Sequence, residues 1–147
     1  MQKKETIDWL FVMPNDLIGG GAQQVLYTII NFLIKQGKSC TVVFTVRKKH
    51  RGWESIEDKC NIVYLENSSF YKGYFDAFKY IKKLTKRHHI KHAISSQTLI
   101  NGLLGFLKFV KTLKNTKLIL RESTSIFLRF KGFKLLLYKT AYKFGYK

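Results

Sequence analysis

Three consecutive glycines, Gly19, Gly20 and Gly21, stand in the segment Pro14-Asn15-Asp16-Leu17-Ile18-Gly19-Gly20-Gly21-Ala22-Gln23-Gln24-Val25. Without a Cβ in the way, backbone N–H groups can come close to a ligand. Just before a helix, such a loop also offers unbonded N–H donors and the positive end of the helix dipole, a combination suited to phosphate. Three glycines exceed what a turn that merely starts a helix needs. The segment is therefore read as a phosphate-facing loop, with Gln23 as its hydrogen-bonding side chain; the plainer alternative is a helix-initiating turn. Two familiar phosphate loops do not fit. A dinucleotide loop requires G-x-G-x-x-G, and Gln24 occupies the third glycine position. It also requires an acid near the end of the second strand, where the chain reads Val46-Arg47-Lys48-Lys49. A P-loop requires Gly-Lys-Ser/Thr after the glycines, and Ala22-Gln23 follows instead.

Other polar residues fall where strands are expected to end. Arg121 and Glu122 follow the fifth strand, Ser96 and Asn101 the fourth, and Asn15 the first. In an open parallel sheet, ligands bind beyond the carboxyl ends of the strands, so these five are candidates for an acceptor cleft. Each has a simpler reading: an exposed i,i+1 pair for Arg121 and Glu122, an exposed helix residue for Asn101, and turn initiation for Asn15 and Asp16. His88, His89 and His92 are too loosely spaced for a metal, and are expected to be cations at a helix C-terminus. Cys40 and Cys60 form no disulfide framework. Cys40 sits in an apolar run as a small buried hydrophobe, which points to a reducing, cytoplasmic compartment.

The elements that must position these groups alternate along the chain. Apolar runs predict strands at Ile7–Met13, Cys40–Val46, Asn61–Leu65, His92–Ser96 and Lys117–Arg121. Helical spacing predicts helices over Gly21–Gln36, Tyr71–Arg87, Gln97–Leu113 and from Phe130 onward, with Gly37 stopping the first. The helix from Tyr71 is expected to bury Tyr71, Tyr74, Phe75, Phe78 and Ile81. Residues 47–60 form a charged connection in which a short helix could lie. Strands apolar on both faces and separated by helices predict an α/β fold: a single Rossmann-like domain with an open, mostly parallel sheet and helices on both faces.

In this frame, Gly20-Gly21-Ala22-Gln23-Gln24-Val25 resembles the Gly-Gly-Ala-Glu-Arg-Val loop of glycosyltransferase family 4. The passage Leu33-Ile-Lys-Gln-Gly-Lys-Ser-Cys-Thr-Val-Val43 is similar to that family's helix-to-strand stretch. Ile94-Ser-Ser-Gln-Thr-Leu-Ile-Asn-Gly-Leu-Leu104 and Leu118-Ile-Leu-Arg-Glu-Ser-Thr124 are similar to its fourth and fifth strands with the segments that follow. Gln23, Gln24 and Lys38 depart from the family's usual Glu, Arg and His. The resemblance implies the N-terminal, acceptor-side half of a retaining GT-B enzyme. Its glycine loop would face the phosphates of a nucleotide-sugar donor held by a C-terminal half with a paired-glutamate motif, which is expected to be missing from this chain. It implies no tightly bound cofactor and no metal; leaving-group charge is met by helix dipoles and basic residues. This chain alone is then expected to be inactive.

Charge is distributed unevenly. Residues 1–69 hold nine Lys/Arg and seven Asp/Glu, whereas residues 70–147 hold eighteen and two, for a total of +18. Lysines interleaved with Phe and Tyr over 71–91 and 126–147 suit an anionic membrane surface. The membrane-facing candidates are Lys72, Lys79, Lys82, Lys83 and Lys86, then Arg129, Lys131 and Lys134; a solvated face is the alternative. No nucleic-acid motif is present, and nucleic acid is not expected as a partner. No signal peptide is evident, and the longest uncharged run, Leu17 to Ile34, is interrupted by three glycines, so no spanning helix is expected. The combined expectation is a peripheral protein at the inner face of the plasma membrane, acting on a polysaccharide or lipid-linked acceptor. The rival is a non-catalytic, membrane-peripheral or interaction module with the same ancestry, and a nucleotide-binding domain of another class is a third possibility.

Overall fold

The computed structural model describes residues 4–47, 52–65, 69–122 and 131–145. Five strands, β1 (Glu5–Asn15), β2 (Cys40–Val46), β3 (Asn61–Tyr64), β4 (His88–Ser95) and β5 (Lys117–Leu120), alternate with helices α1 (Gly21–Lys35), α2 (Glu54–Glu57), α3 (Phe70–Arg87), α4 (Thr98–Phe109) and α5 (Gly132–Gly145). All four strand pairings are parallel, in the order β3-β2-β1-β4-β5. The fold is therefore α/β, with an open Rossmann-like parallel sheet covered by helices on both faces.

The inner strands are apolar because both of their faces are covered. All seven residues of β2 are buried. Along β1 the side chains alternate between two cores. Leu10 and Val12 pack with Val43, Ile81, Ile100 and Leu104 under α3 and α4. Phe11 and Met13 pack with Val42, Phe44, Leu26, Ile30 and Ile56 under α1 and α2. A third layer lies outside the first core: a Cβ on Gly102 would sit 2.6 Å from Ala141 of α5. With about 3.6 residues per turn, Gly102 is on the side of α4 opposite Ile100 and Leu104, so α5 rests on the outer side of α4. Phe144 joins that contact, edge-on to Phe106 and Phe109.

Several boundaries differ from the sequence expectations. β1 continues through Pro14 to Asn15, past the proline expected to end it. The proline is tolerated because pairing with β4 has already stopped at Phe11↔Ile94, and only β2 flanks β1 there. β4 begins at His88, four residues early, because Glu5 and Thr6 supply partners for His88 and His89. His88 caps α3, but His89 and His92 belong to the strand, and His92 stacks on Trp9 at 4.3 Å. The buried side of α3 is Gly73, Ala77, Ile81 and Leu84; Tyr71 and Phe75, expected inside, are 65% and 58% exposed. α4 ends at Phe109, where Lys111 turns into the left-handed region and lets Leu113 fold back into the core. A single turn of helix, α2, does occupy the 47–60 connection.

Candidate phosphate-facing site at the switch point

Because every strand is parallel, all carboxyl ends share one edge of the sheet. From β1 the chain moves outward through β2 to β3, then returns by way of α3 to β4 and on to β5. The order thus reverses between β1 and β4, where an open α/β sheet leaves a crevice. The glycine loop leaves β1 on one side of this switch point, and Ser96-Gln97 leaves β4 on the other. The N-termini of α1 and α4 meet the same edge from opposite faces of the sheet.

At the loop, the glycines form the entry to α1. Gly20 is the N-cap of α1 with an extended backbone (φ −97°, ψ 140°), and no side chain caps the helix. The first backbone bond of the helix runs from Gln24 N–H to the Gly20 carbonyl, 3.0 Å. The N–H groups of Gly21, Ala22 and Gln23 therefore precede the intrahelical ladder. None of the three glycines has positive φ. A Cβ on Gly19 or Gly21 would meet nothing within 4 Å, and one on Gly20 would meet only the flexible end of Gln23, whose Oε1 would be 2.6 Å away. Neither backbone strain nor packing inside the chain requires glycine here. What glycine provides is bare backbone facing open space at a helix N-terminus, the geometry an anion uses.

The loop is held from behind. Asn15 Oδ1 accepts a hydrogen bond from Leu17 N–H at 3.1 Å, so this cleft candidate makes the turn that the simpler reading expected. Thr45 Oγ1 donates to the Pro14 carbonyl at 2.9 Å. Trp53, which the sequence shows only as one residue of a charged connection, is 1% exposed, and its indole N–H donates to the Asp16 carbonyl at 2.8 Å. Its ring packs edge-on against Phe44 and Tyr27.

On the β4 side, the candidates form one network. Ser95 Oγ donates to Asn101 Oδ1, and Asn101 Nδ2 donates to the Arg121 carbonyl at 2.9 Å. Asn101 is 0% exposed. It is neither an exposed helix residue nor placed for ligand contact; it ties α4 to the ends of β4 and β5. Thr98 Oγ1 donates to Glu122 Oε2 at 2.6 Å, engaging the half-buried carboxylate. Ser96 is buried, and Arg121 is exposed at the edge. Tyr74 of α3 donates to Gln97 Oε1 at 3.1 Å, and burial pushes its phenol well above the usual range, so it stays a neutral donor. Ser95, Gln97, Thr98, Tyr74 and Trp53 act here without any sequence signal, because their roles depend on partners 6 to 37 positions away.

The lysine candidates Lys72, Lys79, Lys82, Lys83 and Lys86 are exposed on α3, and Lys131 is exposed just before α5. Arg129 and the side chain of Lys134 lie outside the described residues. Among the described residues, no group of three His, Cys, Asp or Glu is arranged to hold a metal, and no helix is long and apolar enough to cross a membrane. A depression of about 410 Å³ opens at the opposite, amino edge of the sheet, lined by Glu5, Ser39, Cys40, Asp58, Cys60 and His88 among others. The helices end there with their carbonyls, a poor environment for phosphate. No family model matches the chain, and no curated protein or solved structure matches it either.

Proposed function

We propose that this chain is the acceptor-side domain of a retaining GT-B glycosyltransferase resembling family 4. In this reading it takes part in sugar transfer from a nucleotide-sugar to a polysaccharide or lipid-linked acceptor at a membrane surface. The observation that carries the reading is the uncapped, glycine-only entry to α1 at the sheet's switch point, where three backbone N–H groups precede the helix ladder. These donors and the α1 dipole would stabilise the charge that develops on the departing nucleotide diphosphate. The exposed Arg121 stands on the same edge, where it could meet donor phosphate or acceptor. The half that binds the nucleotide-sugar lies, on this reading, outside these 147 residues.

The test is to join the chain to such a donor-binding half and measure nucleotide-sugar turnover. Gly20→Val combined with Gly21→Val should abolish turnover while leaving the fold intact; undiminished turnover refutes the loop's role. A second reading, a non-catalytic membrane-peripheral module, is favoured by the exposed aromatic and basic helix surface described next. It gains ground if the joined protein folds but turns over no sugar nucleotide.

A further inference from the structure

The outer surface of the layer formed by α3, α4 and α5 combines two features. Large apolar side chains stand in water: Phe75 is 58% exposed, Phe109 72%, Phe133 80% and Leu136 61%. Large apolar side chains exposed on the same side of a molecule and rimmed by polar residues suit an interaction site. Lysines surround it. Along α3, Phe75, Lys79, Lys82 and Lys86 follow one another at spacings of four, three and four, and so form one stripe. The Lys79 ammonium lies 4.3 Å from the Phe75 ring centroid. Asp76 is the single acid in the three helices. The other side of the sheet is different: α1 carries one charged residue, Lys35, and α2 with the residue after it brings Glu54, Glu57 and Asp58. Among the described helices, basic side chains and exposed apolar surface therefore coincide on this side of the sheet.

We infer that this side is a docking face for an anionic lipid bilayer, with Phe109, Phe133 and Leu136 entering the headgroup boundary and the α3 lysines meeting the headgroups. The inference rests on the membrane-surface acceptor proposed above and names the surface that would meet it. It also extends the sequence expectation. α4 contributes Phe109, and three helices that are separate in the chain share one side of the sheet only in the folded molecule. A bilayer suits this chemistry better than nucleic acid does. Phenylalanine and leucine gain from leaving water at a hydrocarbon boundary and gain little from a phosphate backbone. Lysine on its long stem keeps its charge among headgroups while the stem lies along apolar surface.

Co-sedimentation of the 147-residue chain with vesicles tests this. Binding is expected to phosphatidylcholine vesicles containing phosphatidylglycerol, not to phosphatidylcholine alone, and to weaken as salt rises. Each lysine near such a surface changes binding about fivefold, so K79Q with K82Q and K86Q should lower partitioning on the order of 100-fold. F133S with L136S should lower it roughly tenfold or more. F32S, on the opposite side of the sheet, should leave it unchanged. These positions are exposed, and far-UV circular dichroism should report the same helix content in every variant. Equal binding to both vesicle types, no effect of either set of variants, or preferential capture of RNA over anionic vesicles would overturn the inference. Turnover on a soluble acceptor by the joined enzyme should be indifferent to these changes. Vesicle binding therefore reports on the docking face, and the loop variants report on the glycosyl-transfer reading.

Discussion

Replacing Gly19 and Gly21 with alanine separates a loop that needs glycine for its own shape from one that needs glycine for a ligand. Neither residue has positive φ, and a Cβ at either position reaches open space. Alanine at a compatible backbone position reduces the freedom of the unfolded chain and stabilises the fold by about 0.4–1 kcal/mol per site. Gly21 is the first residue of α1, where alanine also has the better helix propensity. The double variant should therefore be about 1–2 kcal/mol more stable than the parent, which for a domain of this size raises Tm by about 3–6 °C. Two methyl groups at the mouth of the α1 N-terminus would meanwhile hold a phosphate away from the N–H donors, and losing one such contact in a transition state costs roughly 100-fold in rate. Thermal unfolding followed by circular dichroism, together with turnover of the enzyme joined to a donor half, reads both quantities. A fall in Tm of several degrees would show that the turn itself requires glycine. A rise in Tm with unchanged turnover would show that the loop faces no ligand. Only greater stability with lost activity agrees with the reasoning.

Three further outcomes are expected. Asn101→Leu removes both hydrogen bonds that tie α4 to Ser95 and to the Arg121 carbonyl in a fully buried site, and should cost about 2–4 kcal/mol in urea denaturation, with lost activity following from the displaced strand ends. The hydrogen bond from Lys91, with those from Ser39, holds the Asp8 carboxyl down from 3.8 to about 2. Because the folded-state value is the lower one, this contribution is complete above pH 4 and disappears as pH falls toward 2; denaturation midpoints of Lys91→Met should show a shallower acid-limb decline, with the part due to the Ser39 hydrogen bonds remaining. Burial pushes the Cys40 and Cys60 thiols up to about 12 and about 11, so iodoacetamide at pH 8 should label neither until the chain is globally unfolded in urea.

The sheet was legible because its information is local. Cys40–Val46 is a strand from its β-branched run alone, and Gly37, at φ 69°, ends α1 as a glycine beyond a C-terminus does. The ends of β1 and β4 were not legible, because what extends them is pairing between Glu5 and His88 and the absence of a β4 neighbour at Pro14. Tyr71 and Phe75 continue the apolar spacing to one side of Ile81, yet the side of α3 turned toward the sheet is that of Gly73 and Ala77. A Cβ on Gly73 would overlap the Thr45 carbonyl at 2.2 Å, so this close approach of helix to strand fixes which side faces inward.

For the site, the chain itself determines the glycine triplet, its position between a strand and a helix, and its departure from the dinucleotide and P-loop spacings, since all of these depend on residue type and spacing. Tertiary structure decides the rest. Strand order brings the β1 loop and the end of β4 to one crevice. Asn101 is turned inward as a brace, because β5 delivers the Arg121 carbonyl to it. Trp53 is drawn from a charged connection to support the loop. The physical reason is the same in each case: a backbone's local preference is written in its neighbours, whereas the partner that satisfies a buried polar group arrives only when distant strands pair.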